Sequence, residues 1–187
     1  MSTLRTLCFC CLVGAWLGVA CDRGGPQATH GVEGHAATAA EGPLSVGALA
    51  PAVRFALHTG EQLDLASLRG KPVVIYFYPK DDTPGCTTEA EEIRDLYAQL
   101  KQSGAVVIGV STDPPASHRA FVEKHALPFL LASDEGGKIA SAFGVPLKNG
   151  RATRVSFVLG TDGRVKRAFP QVKPEGHAAE LLAALAS

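Results

Sequence analysis

The chain has 187 residues, with 18 Lys+Arg against 18 Asp+Glu, so its formal net charge is zero. That balance argues against a nucleic-acid binder, which carries a basic stripe to meet phosphates. A hydrophobic content of 46% excludes disorder throughout, and no apolar run reaches the roughly 18 residues a helix needs to cross a bilayer.

The N-terminus reads as an address. Arg5 precedes an apolar run from Leu7 to Ala20, too short to span a membrane and suited to the core of a secretory signal. Leu17-Gly18-Val19-Ala20-Cys21 then resembles a bacterial lipobox. On that resemblance residues 1–20 are a signal peptide and Cys21 is lipidated. The exported protein is then held at the periplasmic side of a bacterial membrane by its acyl chains, each buried methylene contributing about 0.8 kcal/mol. A soluble periplasmic protein is the alternative. Residues 22–43 are rich in Gly, Ala, Thr and His and poor in large apolar side chains, the composition of a flexible tether. His30 and His35 fall in it and read as solvated, since a stable metal site needs three or four fixed ligands.

Residues 44–187 make a domain of ordinary size. Val73-Val74-Ile75-Tyr76-Phe77-Tyr78 is a continuous apolar run, which suits a strand covered on both faces. Ala90, Ile93, Leu96, Tyr97 and Leu100 then form one helical stripe, with Glu91, Glu92, Arg94, Asp95 and Lys101 on the other face. Val106 to Val110 is a second buried strand. Asp113-Pro114 predicts an N-cap and a first helical residue for a helix that carries Phe121 and Val122 and ends before Leu127-Pro128. Phe129 to Leu131 is a short strand, Lys138 to Phe143 a short helix closed by Gly144, and Val155 to Leu159 a fourth strand. Gly160 to Gly163 turns the chain into a more polar edge strand, Val165 to Phe169. A last helix from about Pro174 buries Leu181, Leu182 and Leu185. Strands alternating with helices predict an α/β fold, and the late hairpin makes its central sheet mixed. His58, His118, His125 and His177 are placed on element surfaces and given no function.

Cysteine is the informative residue. Cys8, Cys10 and Cys11 leave with the signal, Cys21 is the lipidation candidate, and Cys86 alone belongs to the domain. A lone cysteine in an exported domain is either a buried small hydrophobe or a reactive thiol. Thr83 is a good N-cap and Pro84 a good first helical residue, so Cys86 falls in the first turn after a buried strand. Free backbone N–H groups and the positive end of the helix dipole then favour the thiolate, which is the nucleophilic form.

Pro79-x-x-x-Thr83-x-x-Cys86 matches the active-site signature of peroxiredoxins, and YFYPKDDTPGCTTEA resembles the bacterioferritin-comigratory or Q-type subfamily. GVSTD at 109–113, LASDEGGKIASAFGV at 131–145 and RVSFVLGTDG at 154–163 extend the likeness over the domain. The resemblance implies a thioredoxin-like fold and reduction of hydroperoxides through a sulfenic acid on Cys86, with no cofactor and no metal. Thr83 would hydrogen-bond the peroxide and Pro79 shield the pocket. Arg154 would supply the cation beside the sulfur, oriented by Glu89. Where many relatives carry a second, resolving cysteine this chain has Glu91, and another such position is Ala140. A one-cysteine cycle is therefore expected, completed by a thioredoxin-like protein or a small thiol, in a monomer or weak dimer. A thioredoxin-type dithiol enzyme is excluded by Thr83 in place of the first cysteine of Cys-x-x-Cys, and a copper carrier by the want of a second thiol. A stoichiometric peroxide sensor would need the same residues as the enzyme and is the alternative reading.

Overall fold

A computed structural model describes residues 42–187. The expected signal peptide, the expected lipidation site Cys21, His30, His35 and all but the last two residues of the expected tether lie outside the described residues.

Among the described residues, nine strands and five α-helices follow the order β1 (Arg54–Leu57), β2 (Gln62–Asp64), β3 (Val73–Phe77), α1 (Pro84–Asp95), α2 (Tyr97–Gln102), β4 (Val106–Ser111), α3 (Pro115–His125), β5 (Leu130–Ser133), α4 (Lys138–Ala142), β6 (Leu147–Lys148), β7 (Arg151–Ala152), β8 (Val155–Leu159), β9 (Val165–Phe169) and α5 (His177–Ala186). A 3-10 turn, Leu65–Leu68, joins β2 to β3. Seven strands form one mixed sheet in the order β2-β1-β5-β4-β3-β8-β9, and β6 with β7 makes a separate hairpin. The three central strands β3, β4 and β5 are parallel, whereas β8 runs antiparallel to β3.

The two-residue period of a strand sends alternate side chains to opposite faces, and β3 feeds two cores. Val73, Ile75 and Phe77 join Phe55, Ile108, Phe143 and Phe157 on one side. Val74 and Tyr76, with Tyr78 just past the end of the strand, join Cys86, Ile93, Leu100, Phe121, Leu131 and Leu181 on the other. Every residue of β3 and β8 is buried, as two-sided coverage requires. Gly109 sits mid-strand in β4 because the Tyr76 ring lies across it; a Cβ there would come within 2.6 Å of the ring.

The expected strands at 73, 106, 155 and 165 are all present, and β9 is an edge. Differences lie at the ends. The helix expected to begin at Pro114 begins at Pro115, and Pro114 is its extended N-cap. Asp113 is not the cap, because its carboxylate accepts instead from the Asp81 amide at 2.9 Å and the Ser111 hydroxyl at 2.8 Å. The stripe from Ala90 to Leu100 is divided at Leu96 between α1 and α2. The last helix starts at His177 rather than Pro174, after Gly176 at φ 83°; Leu181 is buried, while Leu182 and Leu185 are half-buried.

The surface placement of four histidines is corrected for two of them. His118 and His177 have no exposed surface at all. His118 shares the inward face of α3 with Phe121, three residues on. His177 pins α5 to the sheet, with Nε2 2.9 Å from Ser156 Oγ and Nδ1 2.9 Å from Glu180 Oε2. Burial pushes its pKa down, although Glu180 opposes this. His58 and His125 are half-buried.

Candidate active site

The end of β3, a six-residue loop and the start of α1 set the site. Thr83 is the N-cap of α1, in extended conformation at φ −96° and ψ 149°, and Pro84 occupies the first helical position. Cys86 is therefore the third helical residue. The Gly85 and Cys86 N–H groups precede any intrahelical acceptor, and the first turn holds no acidic residue to oppose the dipole there. Cys86 is 2% exposed.

Two donors reach its sulfur. Thr83 Oγ1 lies 2.9 Å from Sγ and 3.1 Å from the Lys80 carbonyl oxygen. Its single proton serves one acceptor at a time, so the hydroxyl can give a bond to the sulfur or turn its lone pairs to an incoming group. Arg154 Nη2 lies 3.1 Å from Sγ, and a guanidinium at that distance favours an anionic sulfur. Arg154 comes from the residue just before β8. Antiparallel pairing of Phe77 with Val155 brings the beginning of β8 to the end of β3, across 68 residues of sequence. Gly85 leaves room for it: a Cβ there would stand 3.0 Å from Arg154 Nη2.

The other branch of the guanidinium, Nη1, donates to Glu89 Oε2. Glu89 lies one turn beyond Cys86 on the buried face of α1, with a side chain fully excluded from solvent. Burial pushes its pKa up to about 7, against the pull of Arg154. Its Oε1 has no hydrogen-bond partner. Sulfur, guanidinium and carboxylate thus form one continuous chain. Pro79 opens the loop immediately after Tyr78 and is half-buried; its place in the chain, with no N–H to offer, is what associates it with the site.

Four expected residues, Cys86, Thr83, Arg154 and Glu89, are brought into contact. The loop is also held by residues that the sequence reading passed over. Asp81 is 5% exposed and accepts from Tyr78 OH at 2.7 Å and Ser117 Oγ at 2.6 Å, and His118 Nδ1 lies 2.9 Å away. Burial alone would raise its pKa; the bonds from His118, Ser117 and Tyr78 outweigh this and hold the carboxyl below its usual range. Asp82, at φ 54°, is exposed and pairs with Lys124 and His125. Nothing in the sequence pairs position 81 with 118 or 82 with 125, because only the packing of α3 against the loop brings them together. Position 91 holds Glu91, and Ala140 is wholly buried in α4. Cys86 is the free cysteine of the described residues.

The AhpC/TSA family model matches residues 46–168. A putative peroxiredoxin bcp of Coxiella burnetii is 40% identical over 149 residues, covering 76% of this chain and 99% of that protein. A chloroplastic peroxiredoxin Q of Gentiana triflora is 44% identical over 147 residues, 77% of this chain and 68% of that protein. Among solved structures, Xanthomonas campestris peroxiredoxin Q is 39% identical with a TM-score of 0.67, covering 72% of this chain and 89% of its own.

Proposed function

The chain belongs to the AhpC/TSA family and, within it, to the peroxiredoxins of the Q type, and from that premise we propose that Cys86 runs a one-cysteine thiol peroxidase cycle. The observation that carries the reading is the pair of donors on one buried sulfur, Thr83 at 2.9 Å and Arg154 at 3.1 Å.

The Cys86 thiolate attacks the terminal oxygen of a hydroperoxide. A sulfur–oxygen bond forms and the oxygen–oxygen bond breaks; sulfur is oxidised to the sulfenic acid and the peroxide is reduced. The leaving oxygen departs as an alkoxide or hydroxide and takes a proton from water. Its developing charge is met by the Arg154 guanidinium, which already stands beside the sulfur and needs no rearrangement. Pro79 and the buried setting limit water around the sulfur. Hydrogen peroxide and organic hydroperoxides are the substrates. An external thiol, from a thioredoxin-like protein or a small molecule, then displaces water from the sulfenic acid to give a mixed disulfide. A second thiol frees Cys86. Glu91 and Ala140 in the positions of a second cysteine support this external route.

The test is turnover. Purified protein with a supplied thiol should consume hydroperoxide in large molar excess, and Cys86→Ser should abolish consumption. Oxidation that stops at one equivalent would support a sensor instead. The same reading takes the protein to be exported and held at the periplasmic side of a bacterial membrane through lipidated Cys21, as a monomer or weak dimer. An N-terminal peptide starting at Cys21 with the added mass of acyl chains checks the attachment; a cleaved, unmodified N-terminus removes it.

A further inference from the structure

Cys86 is 2% exposed. A hydroperoxide is small enough to enter such a site. A protein thiol is not, because its own backbone must approach within a few ångströms of the sulfur it attacks. If the peroxidase reading holds, on which this inference rests, reduction of oxidised Cys86 by a protein draws on a minor conformation in which the first turn of α1 has opened. The contacts that bracket that turn decide how often it opens.

We infer that His125 is the catch on this motion, a positioning residue for the reductive half of the cycle. It sits at the last position of α3 with a side chain 12% exposed. Its Nε2 is 3.1 Å from Asp82 Oδ1 and its Nδ1 is 3.1 Å from Glu91 Oε1. These carboxylates belong to different segments. Asp82 precedes the first turn of α1 and Glu91 follows it, so one ring ties down both sides of Cys86. Asp82 is held at φ 54°, a left-handed conformation uncommon for a residue other than glycine, and the loop gains by relaxing once its ties are broken.

The tie depends on a proton. A neutral imidazole donates from one nitrogen only, and an ionised carboxylate only accepts, so both contacts are made together by the imidazolium alone. Asp82 stays ionised because Lys124, with His125, holds its carboxyl below the usual range. The groups facing the ring are Asp82 from the loop, Glu91 from α1, and Lys124 and the Phe121 ring from α3 itself. Arg94 of α1 donates to the His125 carbonyl oxygen at 3.0 Å and stands 3.7 Å from Glu91. It reinforces the joint at the backbone without occupying either ring nitrogen.

The two half-reactions respond differently to such a catch. The peroxide step uses the closed form, whose population is near one and barely changes when the catch weakens. The reductive step with a bulky thiol uses the open form, whose small population rises in proportion. Asp81, buried and bonded to Tyr78, Ser117 and His118, keeps the loop in place in both cases.

The experiment oxidises the full chain with one equivalent of hydrogen peroxide and follows reduction by a reduced thioredoxin and, separately, by 2-mercaptoethanol. His125→Gln keeps one donor and imitates the neutral ring. It should speed reduction by thioredoxin about three- to tenfold and leave the peroxide step within about twofold. Glu91→Gln should act in the same direction, and the small thiol should show little of the effect. Equal thioredoxin rates in wild type and both variants would overturn the inference, as would one common factor on the peroxide and reductive steps. A wild-type Cys86 that never oxidises would overturn the peroxidase reading first and this one with it.

Discussion

Asp81 and Glu89 flank Cys86, both are buried, and their carboxyl groups tilt in opposite directions. Asp81 has bonds on both oxygens, from Tyr78, Ser117 and His118, and is held below its usual range. Glu89 has Arg154 on one oxygen and nothing on the other, and it is pushed up to about 7. Glu89 lies deeper and has fewer donors, and both differences push its carboxyl toward the neutral form, while the fuller set of donors keeps Asp81 charged. Asp64 completes the comparison from the surface. It takes two bonds from Arg54, at 2.7 and 3.1 Å, and its carboxyl is lowered, yet it lies in water.

The largest expected effect falls on Asp81. Asp81→Ala leaves the buried Tyr78 and His118 and the half-buried Ser117 without their shared acceptor and should cost about 3–5 kcal/mol of stability, read from urea unfolding. A loss under 1 kcal/mol would remove the donors from the explanation. Arg154→Ala comes next. It strips Glu89 of its donor and the sulfur of its cation, and should slow the peroxide step about 100-fold, roughly 2.7 kcal/mol, in stopped-flow oxidation. A wild-type rate would show that the guanidinium contributes nothing to the transition state.

Glu89→Gln tests the sign. A carboxyl whose pKa is raised on folding gives stability that is complete below the unfolded value, near 4.3, and is lost as pH rises through about 7. Wild type should lose about 2–3 kcal/mol across that window relative to Glu89→Gln, measured by unfolding at pH 4, 5.5 and 8. Asp81 works the other way: its contribution is present above the unfolded value near 3.9 and is lost as pH falls through its lower folded value. The smallest effect belongs to Arg54→Ala, which should leave the unfolding midpoint unmoved within error, because exposed pairs contribute little. A clear shift there would mean that donors stabilise without burial.

Much of the chain of contacts at the Cys86 sulfur was legible because local rules carry it. Val73 to Phe77 and Val155 to Leu159 are saturated with apolar residues that burial on both faces demands, and Thr83-Pro84 marks a helix start that puts Cys86 in the first turn. Arg154 had no local signal and was found through resemblance alone. The Asp81–His118 contact spans 37 residues, and neither residue breaks the pattern of its element. A histidine on the inner face of α3 looks in sequence like one on the outer face until its carboxylate is known. β1 and β2 went unread for a different reason: four and three residues of mixed polarity are too few to show a period.

The guanidinium that meets the sulfur arrives on the strand that pairs last with β3. During synthesis, amino end first, Cys86 leaves the ribosome well ahead of Arg154 and spends that interval with no partner from β8. Full assembly of the site therefore waits on closure of the β3–β8 ladder, and a truncated or half-made chain lacks the complete centre.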